Sequence, residues 1–196
     1  MSEEEPDYRT KALQDLRRAV ELNLRELRHA FTQRPLGTVA WIARNLLELW
    51  IWVEYCQSSQ ERAKRFCEDS ARDALDMLDI PTEWFARDQT LAKNPAFSFR
   101  VERKGLIEEA KQGGIEKPED SFLRVSNAAE ELGKKDWFYY QNKLFSKFAH
   151  PTAMTVIMKM PSEQSRNFKR IVRDGGMNLG KNALAQIDQC LGAQVP

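Results

Sequence analysis

The chain has only two histidines, His29 and His150, and each has neighbours that could give it chemistry. His150 closes the stretch KLFSKFAHP, one helical turn after Ser146 and directly before Pro151. An imidazole at such a place can take or give a proton, and a hydroxyl four residues earlier can position what it acts on. His29 follows Glu26 in the Glu-x-x-His spacing by which helical bundles hold paired iron ions. That centre needs a second Glu-x-x-His and two more glutamates. The residue that corresponds to Glu26 before His150 is Lys147, so no metal is expected, and His29 reads as a boundary residue of its helix.

A second candidate group lies about a hundred residues upstream, in TVAWIARNLLELWIWVEYC. Arg44 and Glu48 are four residues apart and so share one helical face. Trp41, Trp52 and Tyr55 flank them at helical spacing. The rest of the segment is apolar almost all round, the pattern of a helix enclosed by neighbours. A charge withdrawn from water is costly unless it is paired and hydrogen-bonded. Arg44 and Glu48 must therefore find partners, in each other or on another helix. In DWFYYQNKLFSKFAH, Tyr139, Asn142, Ser146 and His150 form a polar stripe beside the more apolar Trp137, Gln141, Leu144 and Phe148. The two segments are expected to meet through Arg44, Glu48, Ser146 and His150, with Tyr139, Asn142 and Trp41 alongside. Two uses are open to that group: an internal network that fixes helix register, or a binding or catalytic site.

These residues need a scaffold, and helical periodicity runs through most of the chain. Leu13, Leu16, Val20, Leu24, Leu27 and Phe31 recur at steps of three and four, predicting a helix from about residue 6 or 7 to about 33, ended by Pro35. The central helix is expected over roughly 37–57 and a third over about 60–78, broken at Asp79-Ile80-Pro81. A short helical turn is expected at Pro81, a helix in AFSFRVERKGLIEEAKQ, and a loop in GGIEKPED. Ser121 and Gly133 bracket the next helix, Asp136 is a candidate cap for the His150 helix, and Ser162 for a last one ending near Leu191. Within that last helix, Gly176 and Gly180 either allow close approach of another backbone or belong to a turn in DGGMNLG. Each glycine costs a helix interior roughly 1 kcal/mol.

The expected fold is therefore all-α: a single-domain bundle of about five to seven helices around a central apolar helix, over residues 1–196, with 1–6 a disordered tail. With 196 residues, 42% of them hydrophobic, the chain can bury a core without staples. Thirty Lys and Arg against 29 Asp and Glu leave a net charge of +1, so a strongly basic nucleic-acid binder is not indicated. The face of Arg166, Lys169, Arg170 and Arg173 could contact phosphates or simply be solvated. Cys56, Cys67 and Cys190 are odd in number and lack Cys-x-x-Cys spacing, pointing to reduced thiols and a cytoplasmic setting. MSEEEPDYR has no apolar signal region, and no membrane span is expected. No phosphate-binding loop, dinucleotide fingerprint or nucleophile elbow occurs, and nothing calls for a cofactor. Of the aromatic residues Trp41, Trp50, Trp52, Trp137, Phe138, Tyr139 and Tyr140, core packing is expected to take most, with a dimer seam or ligand groove for the remainder.

RNLLELWIWVEYC, followed about a hundred residues later by YYQNKLFSKFAHP, resembles a family of bacterial all-helical proteins of unknown function. Its members carry an Arg-x-x-x-Glu central helix and a later Ser-x-x-x-His-Pro helix end. The likeness rests on Arg44, Glu48, Ser146, His150 and Pro151 and covers the middle two-thirds of the chain. That family is in turn distantly similar to the HEPN superfamily, many of whose members are metal-independent endoribonucleases using Arg-polar-x(4–6)-His at a dimer interface. Here no arginine precedes His150 at that spacing; only Lys143 and Lys147 do. The resemblance thus implies His150 as a base and Arg44, from another helix, as the cation that would stabilise a charged phosphorane. Three readings follow. One is a non-catalytic bundle, alone or as a homo-oligomer, whose polar group serves structure or ligand recognition. The second is a HEPN-like ribonuclease or RNA-binding defence protein. The third is a small-molecule sensor with its pocket beside Trp41 and Tyr139.

Overall fold

The computed structural model describes residues 7–87, 100–120, 123–150 and 161–192. Seven helices are described, with no strand among these residues: α1 (Tyr8–Gln33), α2 (Leu36–Ser58), α3 (Gln60–Arg87), α4 (Arg100–Gln112), α5 (Val125–Glu131), α6 (Lys135–Ala149) and α7 (Ser162–Gly192). The protein is an all-α multi-helix bundle in two compact units. One comprises Met1–Ala63 and Arg124–Pro196, and the other Lys64–Leu123. The residues expected to form a tail, 1–6, lie outside those described.

In the first unit α1, α2 and α7 pack on one another, and α2 also carries α5 and α6. The α1 stripe behaves as its spacing predicts: Leu13, Leu16, Val20, Leu24 and Leu27 are buried, and Phe31 is half-buried. From α2, Val39, Ala43, Leu46, Leu47 and Ile51 join the core, and from α7 Val172, Leu179, Ala183 and Ile187. The N-terminus of α1 is capped by Asp7, whose carboxylate accepts the Thr10 N–H at 3.1 Å. The Thr10 side chain and N–H together hold the Asp7 carboxyl below its ordinary value.

α7 is one uninterrupted helix, so its glycines are sites of close approach and not a turn. A Cβ on Gly176 would stand 2.9 Å from both the Ala43 Cβ and the Leu27 Cδ2, and 3.1 Å from the Ala43 Cα. One on Gly180 would meet the Leu24 Cδ2 at 2.6 Å. The missing side chains let α7 seat against α1 and α2 together. Gly175, one residue earlier, points elsewhere: its Cβ would meet the Phe145 ring at an ordinary 3.5 Å.

The second unit holds the larger part of α3, all of α4 and the loop after it. The break expected at Asp79-Ile80-Pro81 does not occur, and α3 continues to Arg87. Proline's fixed φ is itself helical, but it removes one backbone donor and its ring crowds the carbonyl four residues earlier, a cost of about 3 kcal/mol that α3 carries here. Asp79 also has another partner, since both its oxygens accept from Arg103, at 2.7 and 3.2 Å. Asp69 is buried, takes the Arg72 guanidinium at 2.6 Å and accepts the Leu123 N–H at 3.0 Å.

Helix boundaries elsewhere follow the turn formers. Gly133, at φ +69°, ends α5 in a Schellman turn: its N–H bonds the Glu130 carbonyl at 2.9 Å and the Lys134 N–H bonds the Ala129 carbonyl at 2.7 Å. Asp136 does not cap α6 as expected. The cap position is Lys134, whose side chain makes no capping bond, and Asp136 sits within the first turn, where its charge still favours the helix dipole. The proposed cap Ser121 lies outside the described residues.

The two neighbouring glycines of α7 should respond with opposite signs. Gly176→Ala is expected to destabilise by about 1–2 kcal/mol, because overpacking against Leu27 and Ala43 exceeds the gain in helix propensity. Gly175→Ala should stabilise by about 0.5–1 kcal/mol. Urea unfolding followed by far-ultraviolet circular dichroism measures both. The Asp7 cap has a pH signature. Its carboxyl is depressed in the folded state, so its contribution is complete above the unfolded carboxylate pKa and fades as pH falls through the lower folded value. Asp7→Asn should therefore flatten the acid limb of the stability curve relative to wild type.

Candidate functional site

α6 runs antiparallel to α2, in a register visible at three levels. The Phe148 carbonyl lies 3.0 Å from where a Gly37 Cβ would stand, Arg44 reaches Asn142, and the rings of Trp50 and Trp137 are 4.9 Å apart. At the middle level the polar stripe of α6 meets the one arginine of α2. The Arg44 guanidinium is engaged at each of its three nitrogens. Nε donates to the Asn142 Oδ1 at 2.8 Å, Nη1 lies 3.3 Å from the His150 Nε2, and Nη2 lies 3.0 Å from the Glu48 Oε1. The Ser146 hydroxyl donates to the same Asn142 oxygen at 3.4 Å. Five residues thus form one chain of contacts across two helices.

The local geometry explains His150. α6 ends at Ala149, and His150 turns extended (φ −100°, ψ 149°) while its N–H still bonds the Ser146 carbonyl at 3.2 Å. The side chain is left at the exposed end of the helix beside Arg44. Pro151, to which that stop is attributed, lies outside the described residues. A guanidinium only donates, so a hydrogen bond at this contact uses the lone pair of Nε2.

Arg44 and Glu48, expected on an enclosed helix, are paired but only half-buried. Their side chains are 29% and 30% exposed. α2 is covered by α1, α5, α6 and α7 but keeps one open face, and Trp41, Arg44, Glu48 and Trp52 border it. Trp41 is 54% exposed and Tyr139 is 55% exposed. Neither joins the polar chain. Tyr139 instead stands edge-on to Tyr140, with the Lys143 ammonium 5.5 Å from its ring. Core packing takes fewer of the aromatics than expected: Phe138 is buried, Trp50 and Trp52 are half-buried, and Trp41, Trp137, Tyr139 and Tyr140 are exposed. Helix α6 is covered along one side only, so side chains at the flanks of its buried face remain open to water.

The buried acid of α2 is a residue the spacing arguments passed over. Glu54 is 9% exposed, and both its oxygens are engaged: Oε2 by the Lys134 ammonium at 2.6 Å, Oε1 by the Gln186 amide at 3.1 Å. The Schellman turn at Gly133 sets Lys134 there, and the same ammonium lies 4.2 Å from the Trp50 ring centre. The available signal was the second glutamate of LELWIWVEYC, a charge on a segment otherwise apolar. Among the described residues no group of three or more His, Cys, Asp or Glu could hold a metal ion, and no helix is long and apolar enough to cross a membrane. The three cysteines are free. The chain matches no protein-family model, no curated protein and no solved structure.

Lys134→Met should destabilise by about 2–3 kcal/mol, since it strips the cation from a buried carboxylate. Glu54→Gln in the same background should recover part of that loss, because it removes the charge left without its partner. Chemical unfolding of the single and double variants measures the recovery.

Proposed function

We propose that this chain is a non-catalytic, intracellular helical-bundle protein whose Arg44–Glu48–Asn142–Ser146–His150 group fixes α6 on α2 and shapes a recognition face bordered by Trp41 and Tyr139. The observation that carries this reading is the state of Arg44. All three of its nitrogens have protein partners, and one of them is the carboxylate of Glu48. A cation clamp for a phosphorane needs donors aimed at the reacting group, and neutralisation by a carboxylate weakens it. His150, in turn, spends the lone pair of Nε2 on Arg44, so it would have to release that contact before Nε2 could take a proton. Three of the five guanidinium N–H groups are accounted for, and the remaining two leave room for one outside acceptor. The exposed Trp41 indole on α2 and Tyr139 phenol on α6 would suit a planar or apolar ligand.

One observation favours the ribonuclease reading: His150 is exposed, and an arginine from another helix lies beside it, as the HEPN resemblance implies. A single experiment separates the two. Wild type and His150→Ala are incubated with labelled RNA without added metal, and Arg44→Ala is unfolded in urea beside wild type. We expect no cleavage by either protein and a loss of about 1–2 kcal/mol for Arg44→Ala, whose removal leaves Glu48 and Asn142 without their donor. Cleavage by wild type that disappears in His150→Ala would replace this reading with the nuclease one.

A further inference from the structure

Positive charge gathers where α1 ends and α7 begins. The two helices run antiparallel in a register marked by Arg17 with Asp188, Leu24 with Gly180, and Phe31 with Arg173. That register sets the last turns of α1 level with the first turns of α7. Arg28 and Arg34 come from the first stretch, and Arg166, Lys169, Arg170 and Arg173 from the second. Once Arg25 is set against Glu26, only Glu163 and Asp174 oppose these six cations among the described residues of the two stretches. In a chain of net charge +1, these stretches therefore carry a surplus of four positive charges.

The arrangement is more than a charged run on one helix. The Arg173 guanidinium lies 4.1 Å from the Phe31 ring centre and the Lys169 ammonium 5.5 Å from it, so one ring of α1 orients two cations of α7. Arg173 is paired by Asp174, and Arg166 donates to the Ser162 carbonyl. Arg28, Arg34, Lys169 and Arg170 have no carboxylate partner among the described residues. Like charges so close repel, and an outside polyanion would relieve that repulsion. The first and last of the α7 cations are seven positions apart, about 10 Å along the axis, which is further than one phosphate group reaches.

We infer that this end of the bundle binds the sugar–phosphate backbone of a nucleic acid. Its distinguishing feature is the surplus of cations, and cations alone suffice for backbone contact. A lipid surface fits less well. An interfacial helix needs its apolar face beside the basic one and turned outward. The exposed Ile171 stands about 150° around α7 from the mean direction of its four cations, and Phe168 on that same side packs on Phe148. The inference is independent of the α2–α6 face and of any cleavage there.

The test is fluorescence anisotropy with labelled single-stranded RNA and, separately, duplex DNA, titrated with the full chain over a range of salt. Sedimentation with phosphatidylserine vesicles runs in parallel. With four unpaired cations engaged, RNA affinity should fall about fifty-fold between about 50 and 200 mM salt, a log–log slope of about −2.8. Arg34→Glu with Arg170→Glu, both exposed, should reduce the magnitude of that slope by about 1.4 and weaken binding at least about tenfold at low salt. Lys181→Glu, further along α7, should bind as wild type does. Circular dichroism melting confirms that the variants fold. The same four contacts give the duplex a slope of about −3.6, so tighter binding of the duplex at equal salt, and not its steeper slope, would identify DNA as the stronger source of the same backbone contact. Three outcomes would overturn the inference: no salt-dependent binding to either nucleic acid, binding that the double charge reversal leaves intact, or binding to the vesicles alone.

Discussion

α2 must be enclosed, and most of the first unit follows from that. A 23-residue helix with apolar side chains on most of its circumference cannot lie on a surface. It needs neighbours on several sides, and α1, α7, α6 and α5 supply them. Side chain by side chain, the enclosure is close. Where α7 meets α1 and α2, there is space for a glycine hydrogen and not for a methyl group. Gly176 and Gly180 accept a cost in helix propensity in exchange for that approach.

Enclosing such a helix turns each polar group on it into a constraint on the neighbours. Arg44 and Glu54 lie ten residues apart on α2, and each is answered from the α5–α6 segment. At one end Asn142 and His150 meet the arginine; at the other, Lys134 meets the glutamate. A one-turn slide of α6 would leave a guanidinium facing an apolar flank and a carboxylate without its cation. Either loss costs more than a surface ion pair contributes, because the groups are partly or wholly withdrawn from water. The two polar clusters thus fix a register that apolar packing alone would leave loose. The open side of α2 is what remains uncovered, and there Trp41 is exposed and Arg44 half-buried.

Charge is distributed with comparable economy. The acidic network of Asp69 with Arg72, and of Asp79 with Arg103, is satisfied within the second unit. Glu21 and Asp188 share Arg17 toward the end of the α1–α7 seam where α7 finishes. Cations without such partners collect at the other end of that seam. A net charge near zero therefore conceals an asymmetric surface, and only the antiparallel register reveals it.

Much of the fold was legible in the chain because helix-forming patterns are local. The stripe from Leu13 to Leu27, the all-round apolar α2 and the stop at Gly133 each depend on residues within a few turns of one another. So does the shared face of Asn142, Ser146 and His150, and the enclosure expected of α2 called for partners to Arg44, in Glu48 or on another helix. Three things were decided by the tertiary structure. Pro81 did not end α3, which carries the cost of the missing donor. Trp41 and Tyr139 remained exposed, since which arc of a helix is left bare depends on how many neighbours pack on it. Glu54, rather than Glu48, became the sealed carboxylate, since a charge is buried by whatever is placed over it. Spacing along a chain determines which side chains share a face; only the packing of distant segments determines which of those faces meets water.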